Sequence, residues 1–171
     1  LSIAASRGED VAIIKESELE QIKRMSSNIA DHPKAAALLA KCHTFEQRSS
    51  WKFNGLPFHG FVDAEGDDVI VDLKTTQDAS ERKFLRQVID LKYYWQAALY
   101  LAANDYKKDF YIIAVENKSP YNVAVYHLNK EFIDVAVNQI IDTTNRFKKW
   151  NGMPESYSTE IVELTPPSYI L

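Results

Sequence analysis

The sequence predicts one α/β domain, and three observations carry that expectation. Short runs of buried-strand character, Val69-Ile-Val71 foremost, alternate with stretches of helical composition. At 171 residues, with 46% hydrophobic and 12% aromatic content, the chain can fill one sizeable core and is too short for two ordinary domains. No internal repeat or low-complexity segment interrupts it, and no apolar run approaches the length of a membrane span.

Taken in order, Ser17-Glu-Leu-Glu20 has the form of a capping box and predicts a helix to about residue 30. Asp31-His-Pro33 ends that helix and starts another, to about residue 41. Strands follow at about 44–53 and 56–63, joined by Asn54-Gly55, a strong hairpin turn. Glu65-Gly-Asp-Asp68 is a second turn signal and leads into a strand at about 69–74. From about 80 to 103 the chain has no Gly or Pro and is rich in Leu, Ala, Tyr, Lys and Arg, which predicts one long helix. Strands near 109–117 and 121–128, linked by Asn117-Lys-Ser-Pro120, precede a helix over about 130–150. The segment 152–171 holds three prolines and little helical period, and reads as an extended arm over the surface or a neighbouring subunit.

The chemistry concentrates on the strand at 69–74. Acid-x-Lys occurs five times, so the triplet alone decides nothing; only Asp72 and Lys74 end a buried-strand run. Two residues apart on a strand, they project to one face. Asp63 stands on the preceding strand, across a short turn, where a hairpin brings its carboxylate within one or two pairings of Asp72. Two such carboxylates repel unless a cation lies between them, and Mg²⁺ suits hard oxygen ligands while keeping waters for chemistry. An adjacent lysine can orient or help deprotonate an attacking water and offset charge on a pentacovalent phosphate. Gln96 and Tyr100, four apart, share one face of the following helix, which should pack on the sheet. Half-buried packing aromatics are the plainer account of Tyr93, Tyr94, Trp95 and Tyr100 taken singly.

In this order, Glu46, Gly60-x-x-Asp63, Asp72-Leu-Lys74-Thr-Thr76 and Gln96-x-x-x-Tyr100 resemble the PD-(D/E)xK nuclease superfamily, over about residues 17–150. More closely, the set is similar to the RecE-type, exodeoxyribonuclease VIII-like exonucleases of phages and prophages, related to lambda exonuclease and the RecB nuclease domain. The resemblance implies a restriction-endonuclease-like core, a central mixed sheet flanked by helices. It further implies a Mg²⁺- or Mn²⁺-dependent 5′→3′ exodeoxyribonuclease acting on double-stranded DNA ends, with one or two ions. On that reading Asp63, Asp72 and the more weakly matched Glu46 hold the metal, with the backbone carbonyl of Leu73 as a further ligand. Lys74 is the catalytic lysine, and Gln96 and Tyr100 form the helix motif. Phe61 and Tyr94 depart from the Arg and His that many relatives carry. Relatives also imply a ring of three or four copies around DNA and a single-strand annealing protein as partner. They usually have helical sequence before the point where this chain begins, at Leu1.

Other features bound this reading. One cysteine, Cys42, excludes an internal disulfide and a four-cysteine iron–sulfur cluster, and is expected as a small buried residue on the helix from Ala35 to Lys41 or at its end. There is no phosphate-binding loop of the G-x-x-x-x-G-K-[ST] type, hence no motor within these residues. His32, His43, His59 and His127 lack metal-ligand spacing, and only His59, beside Gly60, is placed to line the site. A net charge of −4 does not favour DNA binding, but clustering matters more than the total. Arg82, Lys83 and Arg86, directly after the catalytic strand, are the best candidate DNA contacts, with Thr75 and Thr76; Lys107/Lys108 and Lys148/Lys149 are lesser clusters. A soluble cytoplasmic protein is expected. Two rivals remain open: a structure-selective endonuclease on the same core, and a non-catalytic DNA-binding recombination protein.

Overall fold

A computed structural model describes residues 14–150; the predicted arm at 152–171 lies outside the described residues. The elements run α1 (Glu16–Asp31), α2 (Pro33–Leu39), β1 (Cys42–Phe53), β2 (Leu56–Gly66), β3 (Val69–Thr76), α3 (Glu81–Asp90), α4 (Tyr93–Ala102), β4 (Asp109–Glu116), β5 (Val123–His127) and α5 (Lys130–Lys149). The strands form one sheet in the order β1-β2-β3-β4-β5. Every neighbouring pair is antiparallel except β3 and β4, which α3 and α4 connect in parallel. The mixed α/β sheet flanked by helices is therefore as expected.

Hydrophobic burial fixes the layering. Parallel strands covered on both faces read as continuous apolar runs, and β3 and β4 do: Val69, Ile70, Val71, Phe110, Ile112 and Ile113 are all buried. On one face Val69, Val71 and Ile113 pack with Ala35 of α2 and Ile29 of α1. On the other, Ile70 and Ile112 pack with Phe84 and Val88 of α3, Ala97, Ala98 and Leu101 of α4, and Ile133, Ala136 and Ile140 of α5. α1 is held further by Asn28, whose Nδ2 donates to the carbonyls of Pro120 and Tyr121, both at 2.9 Å. Lys108 Nζ closes the other end of the sheet on Glu65 (2.7 Å) and the Gly66 carbonyl (2.8 Å).

The hairpin β1–β2 turns over midway. Val62 packs in the core under α4 and α5, whereas Ala64, two residues on, packs in the core under α1 and α2. A regular strand would put both on one face. The inversion falls at Asp63, and Glu46 on β1, between the Phe45↔Ala64 and Gln47↔Val62 pairs and so opposite Asp63, has a left-handed backbone with φ of 50°. Such a conformation in a non-glycine strand residue stores on the order of 1–3 kcal/mol.

Three expectations need correction. The first helix starts before Ser17: Glu18 Oε2 accepts the Lys15 N–H at 2.9 Å, so the acid that closes the first turn lies two residues earlier than the predicted box. The single helix over 80–103 is two helices, broken at Lys92, whose φ is 57°. Phe84 and Val88, continued at helical spacing, would reach Leu91, Trp95 and Leu99, but the chain buries Tyr94, Ala97, Ala98 and Leu101. The break absorbs that offset, and Lys92 Nζ settles on the Tyr94 hydroxyl at 3.1 Å. Finally, β2 runs past residue 63 to Gly66, because the β1 ladder continues through Thr44↔Glu65. Cys42 opens β1, half-buried, its thiol donating to the Leu38 carbonyl at 3.4 Å.

The hairpin turn is as predicted, with Asn54 (φ 45°) and Gly55 (φ 74°) at its tip. Asn54 Nδ2 donates to Thr144 Oγ1 (2.8 Å) and Asn145 Oδ1 (2.9 Å), tying the tip to α5. An added Cβ at Gly55 would meet only ordinary contact with Lys148, so the cost of Gly55→Ala is that of the backbone, about 1 kcal/mol. Urea unfolding should show that loss, and Gly55→Asn should lose less because Asn tolerates the left-handed region.

Candidate active site

Asp72 is 1% exposed in the middle of β3, where the buried run Val69-Ile-Val71 gives way to exposed Leu73. Its Oδ2 is ion-paired with Lys74 Nζ at 2.6 Å. Its Oδ1 accepts from Gln96 Nε2 at 3.1 Å. Burial is the largest influence and pushes this carboxyl from 3.8 up to about 6; the Lys74 ammonium and its contact, and then Gln96, pull it down, while the Asp63 charge pushes it further up.

Asp63 sits where β2 leaves β3. The ladder between these strands consists of Ala64↔Val71 and Glu65↔Ile70, and beyond it the Leu73 N–H, turned toward β2, is taken by Asp63 Oδ2 at 2.7 Å. A residue's N–H and C=O leave a strand toward the same side, so the Leu73 carbonyl is aimed into the same fork. The fork thus collects two carboxylates and one carbonyl, oxygen donors of the kind that hold a hard divalent cation. The charge balance is the mark of fit: Lys74 alone faces two carboxylates that repel each other, and a cation there would offset both the burial cost and the repulsion from Asp63.

Helix α4 supplies the clamp. Gln96 Nε2 reaches Asp72 and, at 3.4 Å, the Tyr100 hydroxyl, which itself donates to the Phe61 carbonyl at 2.7 Å. Gln96 and Tyr100 therefore bridge β3 to β2 across the fork. Gly60 makes this approach possible, because a Cβ there would stand 2.7 Å from the Tyr100 ring.

Lys74 has a second support that sequence reasoning missed. Its ammonium lies 4.9 Å from the centre of the Tyr93 ring, a cation–π contact. Gln87 Nε2 donates to the Tyr93 hydroxyl at 3.1 Å, and Gln87 Oε1 accepts from Thr76 Oγ1 at 2.7 Å. The signal was present: Tyr93 precedes Gln96 by three residues and so shares its helix face.

Of the remaining predicted residues, some flank this centre and others lie away from it. Glu46 is exposed, opposite Asp63, and among the described residues no three His, Cys, Asp or Glu side chains converge as a metal cluster. Thr76 is buried with its hydroxyl committed to Gln87, so it shapes the site rather than facing DNA. Thr75, Thr76, Asp78, Lys83 and Asn117 line a polar cleft of about 550 Å³ beyond Lys74. Arg82 and Arg86 are exposed on α3 beside it. Lys107 and Lys108 are paired with Asp105 and Glu65. His32 caps α2 and His43 and His127 face Asp67 and Asp109, while His59 is exposed.

A mixed sheet whose antiparallel pair splays to hold one aspartate on each strand, with a lysine two residues past the second, defines the PD-(D/E)xK class of nuclease-type domain. The chain belongs to the family described as "PDDEXK-like domain of unknown function (DUF3799)", whose profile matches residues 2–164. Enzymes of this class act with divalent metal ions. A crystal structure of a "Putative exonuclease" from Eubacterium rectale shares the fold, with a TM-score of 0.69 at 16% identity over 91% of this chain. This chain spans 65% of that protein's length. A protein named SSO0001 superposes more loosely, with a TM-score of 0.37 at 14% identity over 73% of this chain and 68% of its own. No curated protein matches the sequence. Among the described residues no helix is long and apolar enough to cross a membrane.

The raised Asp72 carboxyl gives a pH test. The folded state holds this proton more tightly than the unfolded chain, so the stabilisation is full below about pH 4 and is lost as pH rises through about 6. With chelator present, Asp72→Asn should gain stability relative to wild type across that window, by on the order of 3 kcal/mol at most, read as urea midpoints. Gly60→Ala should cost about 1–3 kcal/mol by overpacking against Tyr100, with a changed Trp51 fluorescence because Trp51 meets the Tyr100 ring edge-on at 5.9 Å.

Proposed function

We propose that this protein hydrolyses phosphodiester bonds of DNA as a 5′→3′ exodeoxyribonuclease on double-stranded ends. The observation that carries the reading is the buried Asp72 carboxylate, ion-paired with Lys74 at 2.6 Å and placed at the mouth of a fork that also holds Asp63. Asp63, Asp72 and the Leu73 carbonyl would hold Mg²⁺ or Mn²⁺, and Glu46, across from Asp63, would serve a second ion or its water. The bound metal supplies Lewis-acid polarisation of the phosphate and a more acidic water.

The chain's own residues do the rest. Lys74, only 18% exposed along its side chain and held between Asp72 and the Tyr93 ring, places a fixed positive charge where a phosphoryl oxygen gains charge. Gln96 orients the Asp72 carboxylate, and Tyr100 fixes the distance between the strands that carry the two aspartates. The cleft beyond Lys74, with Thr75 and Lys83 on its wall and Arg82 and Arg86 beside it, would receive the DNA backbone. In the same reading the enzyme works in the cytoplasm in phage-type recombination. It would be assembled as a ring of three or four copies and supply a 3′ single strand to an annealing protein.

Linear duplex labelled at the 5′ or the 3′ end, and a closed circle, test the reading directly with Mg²⁺ present. The expected outcome is early loss of the 5′ label, an intact circle, no reaction in EDTA, and a fall of at least about 10²-fold in kcat for Asp72→Ala and for Lys74→Ala. Cutting of the circle would make the protein an endonuclease, and unaltered cleavage by both variants would remove these residues from the reaction.

A further inference from the structure

The solvent face of the β1–β2 hairpin has a composition that structural duty does not explain. Cross-strand pairing sets Arg48 beside Phe61, Ser50 beside His59 and Lys52 beside Pro57, and all six are exposed. Partners sit about 5 Å apart and successive pairs about 7 Å along the strands, so the face is one continuous row. Its opposite side, with Trp51, Phe53 and Val62, is packed against the core under α4 and α5. The row runs from Lys52 toward the fork and stops at the Glu46 and Asp63 carboxylates.

Lysines on an edge strand commonly guard against edge-to-edge pairing. Two observations speak against that as the whole account. Phe61 is 56% exposed at the fork end of the row, which is the reverse of a solubility device. Arg48 and Lys52 also make no hydrogen bond or ion pair among the described residues. Unpaired cations with an open aromatic ring beside Arg48, at the end nearest the acidic fork, complement a charged polymer that carries planar groups.

We propose that this face is the docking track for a single DNA strand, with Arg48 and Lys52 on its phosphates and Phe61 stacked on a base next to the scissile position. An exposed ring can stack only on a base that is not already stacked on both sides, which selects a single strand or a frayed end over an intact duplex. The inference rests on the nuclease reading for what happens at the fork, but the track is a binding surface and can be measured without turnover. With Asp63 at one end of the track and the Lys83 cleft beyond Lys74, the substrate would cross the fork from the hairpin toward α3.

Fluorescence anisotropy of a short fluorescein-labelled oligodeoxynucleotide, single-stranded or blunt duplex, with the whole chain in EDTA, tests the track. Arg48→Ala/Lys52→Ala should weaken single-strand binding about tenfold at low salt and lessen the slope of log K against log salt by about 1.4, for two phosphate contacts. Phe61→Ala should weaken it about tenfold while Phe61→Trp retains it, and the duplex should respond less to the Phe61 changes. These side chains are exposed, so unchanged thermal midpoints are expected and confirm folding. Wild-type affinity and salt slope in all variants would overturn the proposal, as would an equal loss for duplex and single strand on removing Phe61. Parallel cleavage assays separate the two readings. Weakened binding in variants of a protein that cleaves nothing keeps the track and defeats the hydrolytic reading, whereas cleavage with unaltered binding does the reverse.

Discussion

A carboxylate buried within the central strand is the constraint around which this domain is organised. Asp72 is taken out of water by the same apolar run that makes β3 a core strand, and a lone ion in that position would be expelled or protonated. The surrounding features answer that cost in turn. Lys74 brings an opposite charge, Gln96 one directed hydrogen bond, and Tyr100 secures Gln96 while gripping β2 through the Phe61 carbonyl. Gly60 has no side chain because the tyrosine ring occupies its place. What remains uncompensated is the burial cost and the repulsion from Asp63, the combination that a divalent cation relieves.

Much of this was legible because it follows from short-range rules. The spacing of Asp72 and Lys74 on a β-branched run, the Asn54-Gly55 turn, and Gln96 and Tyr100 one helical turn apart each depend on residues close in sequence. The features that were not legible depend on partners far away. Nothing near Lys92 forbids a continuous helix, and the break is forced by the offset between the buried stripes of α3 and α4. Thr76 turns inward only because Gln87 of α3 arrives beneath it. Tyr93 reads as one more packing aromatic until the fold sets its ring by Lys74. The left-handed Glu46 has no sequence signal such as Gly or Asn, and it marks an inversion of the hairpin that only the two cores reveal.

That inversion has a geometric use. An untwisted hairpin would carry its apolar side chains past Asp63 into the same layer as Ala64 and would keep β2 paired with β3 farther along. Instead the outer half rolls onto α4 and α5, the ladder ends after Val71, and a gap opens between strands that remain joined at their base. The site is a defect in a sheet, made by changing which side of one hairpin faces which helix layer.

The two aspartates consequently belong to regions of unequal permanence. Asp72 lies in the parallel β3–β4 pair, whose residues Val69, Ile70, Val71, Ile112 and Ile113 are buried between helix layers, the kind of segment that opens last. Asp63 lies at the root of a hairpin whose outer strands are edged by solvent and tied down by Tyr100 and by Asn54 at the tip. Amide exchange should rise from one strand to the next across the fork. The separation of the two carboxylates is then an adjustable quantity, with the Tyr100 hydroxyl as the bond that sets it.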